Sequence, residues 1–262
     1  MTDPAPAPRP PSPAATILLV RDRPAFQVLM VKRHHQIDFA SGALVFPGGK
    51  AEAGDADPLW EARAFGWAET APSERALKIA AIREAFEESG VLLARSEDRA
   101  PCAPVPESLQ AREAVSRGER TFLDLVSALK LRLDLSALSL YARWITPPVT
   151  PKRFDTWFFI ALAPRDQLAV CDGSETVDAE WISPNGALRL AAAGERKVIF
   201  PTRMNLQLLA ESAAGEDAIA AARRRPGIVV EPRLEDRDGV RVLTLAPEAG
   251  YGPVAVPLSE AM

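Results

Sequence analysis

Apolar positions along the chain switch between short strand-like runs and longer stretches at helical spacing. Residues 15–20 and 26–31 are two apolar runs around the turn-like Arg21-Asp22-Arg23-Pro24, the signature of a β-hairpin. A third run, 43–46, stops abruptly at Pro47-Gly48-Gly49. Residues 51–72 read as irregular or partly helical, with Trp60, Phe65 and Trp67 available to pack them down. Ser73 offers an N-cap for a helix running to about Ser89, and Gly90 is its stop signal. A proline-rich loop is expected over 98–106, then two helical stretches near 107–117 and 119–132, where Phe122, Leu125, Val126 and Leu129 recur at helical spacing. Strands are predicted at 141–145, 156–162 and 179–182, and helices near 184–193 and 201–223. From 226 onward two β-rich runs, 228–230 and 240–245, flank Asp238-Gly239. Mixed strands with helices between and after them predict an α/β layered domain with inserted helices. The expected division is a Pro/Ala-rich disordered leader over 1–14, a main domain over 15–225 and a β-rich C-terminal extension over 226–262.

Composition narrows the function classes. A hydrophobic share of 47%, a charged share of 25% and a net charge of −4 over 262 residues describe an ordinary globular protein, with no bias toward nucleic acid or acidic membranes. Nucleic acid and membrane are therefore not expected partners. No apolar run reaches membrane-spanning length, and the leader lacks an apolar signal core. With only Cys102 and Cys171, a disulfide framework is not expected, and low cysteine use points to a reducing, cytoplasmic setting. With His34 and His35 the only histidines, any metal is expected to be bound mainly by oxygen. Their neighbours Lys32 and Arg33 make a basic cluster that reads first as solvated edge charge.

The chemistry concentrates in Arg83-Glu84-Ala85-Phe86-Glu87-Glu88-Ser89-Gly90. On a helix Glu84 lies beside Glu87 and Glu88, because residues three and four apart share a face. Ile79, Ile82 and Phe86 fall on the opposite side and anchor the helix, while the small Ala80 and Ala81 border the acidic patch. Like charges at this spacing cost roughly 0.2–0.5 kcal/mol per exposed pair, a cost that a hard divalent cation such as Mg²⁺ removes. Arg83 can reach Glu87 one turn on. An arbitrary acidic helix face is more often merely solvated; the preceding Phe46-Pro47-Gly48-Gly49-Lys50 changes that balance, since two glycines allow close approach of another chain or a ligand.

Together these segments resemble the Nudix hydrolase family, whose box reads G-x5-E-x7-R-E-U-x-E-E-x-G-U with U apolar. Arg83, Glu84, Ala85, Glu87, Glu88, Gly90 and Val91 match its second half in full. Counted back from Arg83, the family's remaining glutamate falls at Arg75, with Glu74 one residue away. The family glycine is best matched by Gly48 or Gly49, so the connecting segment is longer than in the family pattern. A closer likeness is to the subgroup related to peroxisomal coenzyme A diphosphatases. It rests on the stretch from Phe39 through Lys50, on Trp144-Ile145-Thr146-Pro147, on Arg153-Phe154-Asp155-Thr156 and on Trp181-Ile182-Ser183-Pro184, and it covers about residues 15–210.

The resemblance implies an α/β/α sandwich with a mixed sheet, and a diphosphatase using Mg²⁺ or Mn²⁺ held by Glu84, Glu87 and Glu88, with Arg83 orienting one carboxylate. Gly48, Gly49, Lys50 and Arg153 are the candidate substrate-binding residues, the two cations meeting phosphate. Glu175 and Glu180 are candidates for a further acidic ligand. The expected partner is a small-molecule diphosphate, coenzyme A or acyl-coenzyme A in the subgroup reading. The alternatives are other nucleoside diphosphate derivatives and a nucleotide-binding sensor that does not cut. Residues 226–262 are a candidate homodimer surface.

Overall fold

The computed structural model describes residues 10–33, 42–100, 108–148, 150, 152–167, 169 and 176–261. The leader residues 1–9, His34, His35, Phe39-Ala40-Ser41, Cys102, Cys171 and Glu175 lie outside the described residues. The strands are β1 (Ser12–Arg21), β2 (Gln27–Arg33), β3 (Leu44–Val45), β4 (Gly48–Lys50), β5 (Ala64–Phe65), β6 (Ala94–Ser96), β7 (Leu131–Asp134), β8 (Ser139–Ile145), β9 (Phe154–Leu162), β10 (Thr176–Ile182), β11 (Val229–Val230), β12 (Arg233–Arg237), β13 (Val240–Thr244) and β14 (Ala255–Pro257). The helices are α1 (Pro72–Ser89), α2 (Ser108–Ser116), α3 (Phe122–Ala128), α4 (Pro184–Ala192), α5 (Phe200–Leu209), α6 (Gly215–Arg224) and α7 (Leu258–Ala261).

The main sheet runs β10-β2-β1-β9-β8-β11, with β3 paired to β2 and β4 to β1. It is mixed: β1 lies parallel to β9 and β8 parallel to β11, while β1 and β2 form the expected antiparallel hairpin. Alternation along β1 explains the layering. Ala15, Ile17 and Leu19 face a core built from α1, α2, α3 and the small β5-β7-β6 sheet. Leu18 and Val20 face the other core, made with α4, α5 and α6. Both faces are covered, so β1 reads as a continuous apolar run, and the result is the expected α/β/α sandwich.

Several local expectations change. Strand β1 begins at Ser12, inside the span assigned to the leader. Helix α1 starts at Pro72 with Ala71 at the N-cap, so Ser73 lies within the first turn; proline fits there because its missing N–H is an orphan in any helix and its φ is preset. The helical reading of 119–132 fails at its end, where Leu131 and Leu133 alternate along β7 and pair with β5 and β6. The helix expected over 201–223 is two, α5 and α6, broken around Ser212 and Gly215. Beyond 226, β11 joins the main sheet, and Val230, Leu243 and Leu245 are buried in the α5–α6 core of the same chain. Among the described residues, no helix is long and apolar enough to cross a membrane.

Candidate active site

Strand β4 brings Gly48 and Gly49 against β1, Gly48 opposite Thr16 and Gly49 opposite Ala15. Neither glycine has positive φ, so their role is steric rather than conformational. A Cβ on Gly48 would lie 2.6 Å from the Ala15 carbonyl oxygen, and one on Gly49 would lie 2.3 Å from Glu84 Oε1. The Gly-Gly strand is therefore the floor on which the α1 carboxylates rest. Gly48 N–H donates to Glu88 Oε2 at 3.0 Å.

Helix α1 is buried nearly all round. Ile79, Ile82, Ala85 and Phe86 are fully buried, and so are Ala80 and Ala81, which lie in the apolar core. Gly90, in the left-handed region at φ 74°, ends the helix and returns its N–H to the Phe86 carbonyl.

Arg83 is the hub. Its Nη1 donates to Glu84 Oε1 at 3.0 Å and to Glu87 Oε1 at 3.1 Å, and Nη2 donates to the Lys50 carbonyl at 2.9 Å. The rest of the fork clasps Asp55: Nε to Oδ1 at 2.9 Å and Nη2 to Oδ2 at 3.0 Å. Burial works against the charge, but the hydrogen-bonded Asp55 and the neighbouring Glu84 and Glu87 outweigh it, and the guanidinium pKa is held above its ordinary value. Asp55 is itself pinned, because its Oδ2 accepts from Glu52 N–H at 2.8 Å in the 3-10 turn Ala53–Ala56.

Asp55 is the residue that sequence reading missed. Counting back from Arg83 leads to Arg75, whose Nε instead donates to the Trp67 and Thr70 carbonyls while its guanidinium sits over the Trp67 ring. Counting forward from Gly49 finds it: Gly49, five residues, then Asp55. The extra segment thus lies after the acidic position, between Asp55 and α1. A second unanticipated residue is Arg112 of α2, 1% exposed, whose Nε and Nη2 donate to the Glu87 carbonyl at 3.0 and 2.8 Å and so satisfy an orphan of the last helical turn.

The remaining candidates stand further out. Lys50 is exposed, with Nζ 5.9 Å from the Phe154 ring centroid. Arg153 donates to the Thr146 carbonyl at 2.9 Å and pairs with Glu231 of the C-terminal segment at 2.9 Å. Glu180 pairs with Arg196 at 3.4 Å rather than joining the helix carboxylates. Trp144 is buried in the core, Trp157 lies under Arg143, and Trp181 lies under Arg21.

Glu84, Glu87 and Glu88 provide oxygen donors only, which suits a hard divalent cation. Among the described residues no three His, Cys, Asp or Glu side chains converge as a ready metal shell, since Glu84 and Glu87 are drawn onto Arg83 and Glu88 onto Gly48. A cation there would have to compete with Arg83, which Asp55 holds from behind, for two of the carboxylates.

The helix carboxylates and Arg83 lie inside a recognised domain: the NUDT19 Nudix domain family matches residues 58–207, which begin just after Asp55. The chain belongs to this family. It is 28% identical over 205 aligned residues to an acyl-coenzyme A diphosphatase NUDT19 of Xenopus laevis, covering 62% of this chain and 54% of that protein. The protein of the same name from Homo sapiens is 30% identical over 204 residues, again covering 62% of this chain and 54% of that protein. The chain thus spans about half the length of these curated relatives. A crystal structure of a Nudix hydrolase from Alicyclobacillus acidocaldarius superposes with a TM-score of 0.72 at 29% identity, covering 80% of this chain and 96% of that one. That agreement confirms the Nudix sandwich.

Proposed function

We propose that this Nudix domain hydrolyses the phosphoanhydride bond of a diphosphate-linked small molecule, with coenzyme A or acyl-coenzyme A as the substrate class and Mg²⁺ or Mn²⁺ as cofactor. The observation that carries the reading is the Arg83 hub, which draws Glu84 and Glu87 together on α1, while Glu88 rests on the Gly48 N–H and Asp55 clamps the guanidinium from behind. The names of the NUDT19 relatives support the coenzyme A class.

Glu84, Glu87 and Glu88 would hold the cation, which when bound neutralises phosphate charge and acidifies the attacking water. The chain supplies the rest. A carboxylate of the set accepts the proton as the water oxygen bonds to phosphorus, and the bridging P–O bond breaks to release the second phosphate. Gly49 lets backbone approach where a side chain would displace Glu84. Lys50, exposed at the end of β4, would meet phosphate oxygens as a point charge. Arg153 reaches phosphate only by giving up Glu231. Low cysteine content supports a reducing, cytoplasmic setting.

The test is chromatographic product analysis of the purified protein with coenzyme A, with and without Mg²⁺ or Mn²⁺, beside Glu87→Gln. Metal-dependent release of phosphopantetheine and an adenosine bisphosphate, abolished in the variant, is expected. Cleavage of other dinucleotide or sugar-linked diphosphates but not of coenzyme A would sink the substrate class and leave the chemistry.

A further inference from the structure

A cavity of about 350 Å³ opens at the far edge of the main sheet, away from the Gly-Gly floor. It exists because β11 is short. β11 pairs with β8 only at Arg143 and Trp144, so the preceding residues of β8 have no strand on that side. The gap is walled by the 226–228 turn after α6, by the segment around Glu248 and Tyr251, and by Lys78 of α1. Across the sheet it lies two strands from β1, roughly 10 Å at ordinary strand spacing.

Its lining is basic on one side and apolar on the other. Of the lining cations, Arg143 is paired with Asp155 at 2.6 Å and Lys78 with Glu74 at 3.8 Å, which leaves the guanidiniums of Arg223 and Arg225 against the lining carboxylate Glu248. Lys78 is buried, with Nζ donating to the Leu135 carbonyl at 3.3 Å and lying 3.8 Å from Glu74 Oε2 in an ion pair. Burial lowers its pKa; Glu74 opposes that shift and the nearby Arg223 adds to it. Arg225 stacks over the Tyr141 ring at 5.0 Å, and its Nη1 is buried without a hydrogen-bond partner among the described residues. A buried guanidinium N–H left unpaired is costly, and an acceptor oxygen would relieve it. Arg223 donates Nε to Ser139 Oγ at 3.0 Å. Leu138, Leu140 and Ile228 supply the apolar wall.

We propose that this sheet-edge cavity binds a small organic phosphate, its phosphoryl oxygens on Arg223, Arg225 and Lys78 and its apolar body against Leu138, Leu140 and Ile228. Two guanidiniums match a tetrahedral anion with several acceptor oxygens, and a dianion answers the charge excess better than a carboxylate does. The volume falls within the range of ordinary ligand pockets.

The probe is phenyl phosphate, titrated calorimetrically into the full chain in EDTA, so that neither metal nor turnover contributes and the outcome is independent of the catalytic reading. Saturable binding is expected, retained in Glu87→Gln and weakened by at least about tenfold in Arg225→Met and in Arg223→Gln, as expected for loss of a charge-assisted hydrogen bond. Arg223 is exposed, so its variant decides the matter if Arg225→Met fails to fold. Benzoate should bind at least about tenfold more weakly, having fewer acceptor oxygens and less charge. The proposal is overturned by no saturable heat, by unchanged affinity in Arg223→Gln, by equal binding of benzoate, or by loss of binding in Glu87→Gln, which would place the ligand on the Nudix carboxylates.

Discussion

Replacing Asp55 removes the back half of the clamp on Arg83 while leaving every helix carboxylate in place. Asp55 is 2% exposed, and its two oxygens meet Nε and Nη2 of an almost fully buried guanidinium. Removing one partner of a buried ion pair typically costs about 3–5 kcal/mol. Here the lower end applies, because Arg83 keeps Glu84, Glu87 and the Lys50 carbonyl. Asp55→Ala should therefore lose about 3 kcal/mol, which a domain of ordinary stability survives. Asp55→Asn, which keeps one acceptor but no charge, should lose about 2 kcal/mol. Activity falls for a separate reason. Freed from Asp55, the guanidinium turns wholly onto Glu84 and Glu87 and competes harder with the cation, so the metal concentration for half-maximal rate rises and turnover drops by about 10²-fold. The assays are urea unfolding in EDTA, followed by tryptophan fluorescence, and metal-dependent turnover of each variant. Loss of less than about 1 kcal/mol in Asp55→Ala together with unchanged metal dependence would refute the clamp.

Gly49→Ala places a methyl 2.3 Å from Glu84 Oε1, so turnover should drop by about 10²-fold; near wild-type turnover would show that Glu84 can shift without consequence. Arg75→Ala loses two hydrogen bonds to carbonyls and the stacking on Trp67, costing about 1–2 kcal/mol in unfolding experiments, but it should leave turnover per folded molecule unchanged; a catalytic defect would return the acidic position to the start of α1. Burial pushes the Tyr251 phenol up to about 12, against the lowering pull of its hydrogen bond with Trp144 and of Arg225. A phenol that keeps its proton longer when folded contributes stability that is complete below pH 10 and lost as pH rises toward 12. Unfolding free energy should therefore fall across that window, and fall less steeply in Tyr251→Phe; an identical slope would contradict the burial of that hydroxyl.

The helix that carries the chemistry was legible because its signals are local. Arg83 through Gly90 fix their own spacing, and Gly90 ends the helix where a left-handed residue is needed. The sandwich was legible because β1 and β9 are apolar on both faces. Asp55 was not, because an insertion lies between it and α1, so counting back from Arg83 lands on Arg75, and the forward count from Gly49 singles it out only once the fold shows on which side the insertion falls. Strand β7 was hidden by continuity: Leu131 and Leu133 extend the apolar pattern of α3, and only pairing with β5 and β6 separates them. Arg112 gave no motif at all. A lone arginine on an amphipathic helix reads as solvated until the fold lays it on the Glu87 carbonyl.

The central claim is that Glu84, Glu87 and Glu88 form the cation site that makes this Nudix domain a hydrolase. Its most direct test is titration of Mn²⁺ into the protein, with free ion followed by electron paramagnetic resonance, comparing wild type with Glu87→Gln and Glu88→Gln. The account predicts saturable binding in the wild type, lost or severely weakened in both variants while their unfolding curves remain cooperative. Binding of equal strength in all three would contradict it, and would move the metal, and with it the chemistry, away from the helix.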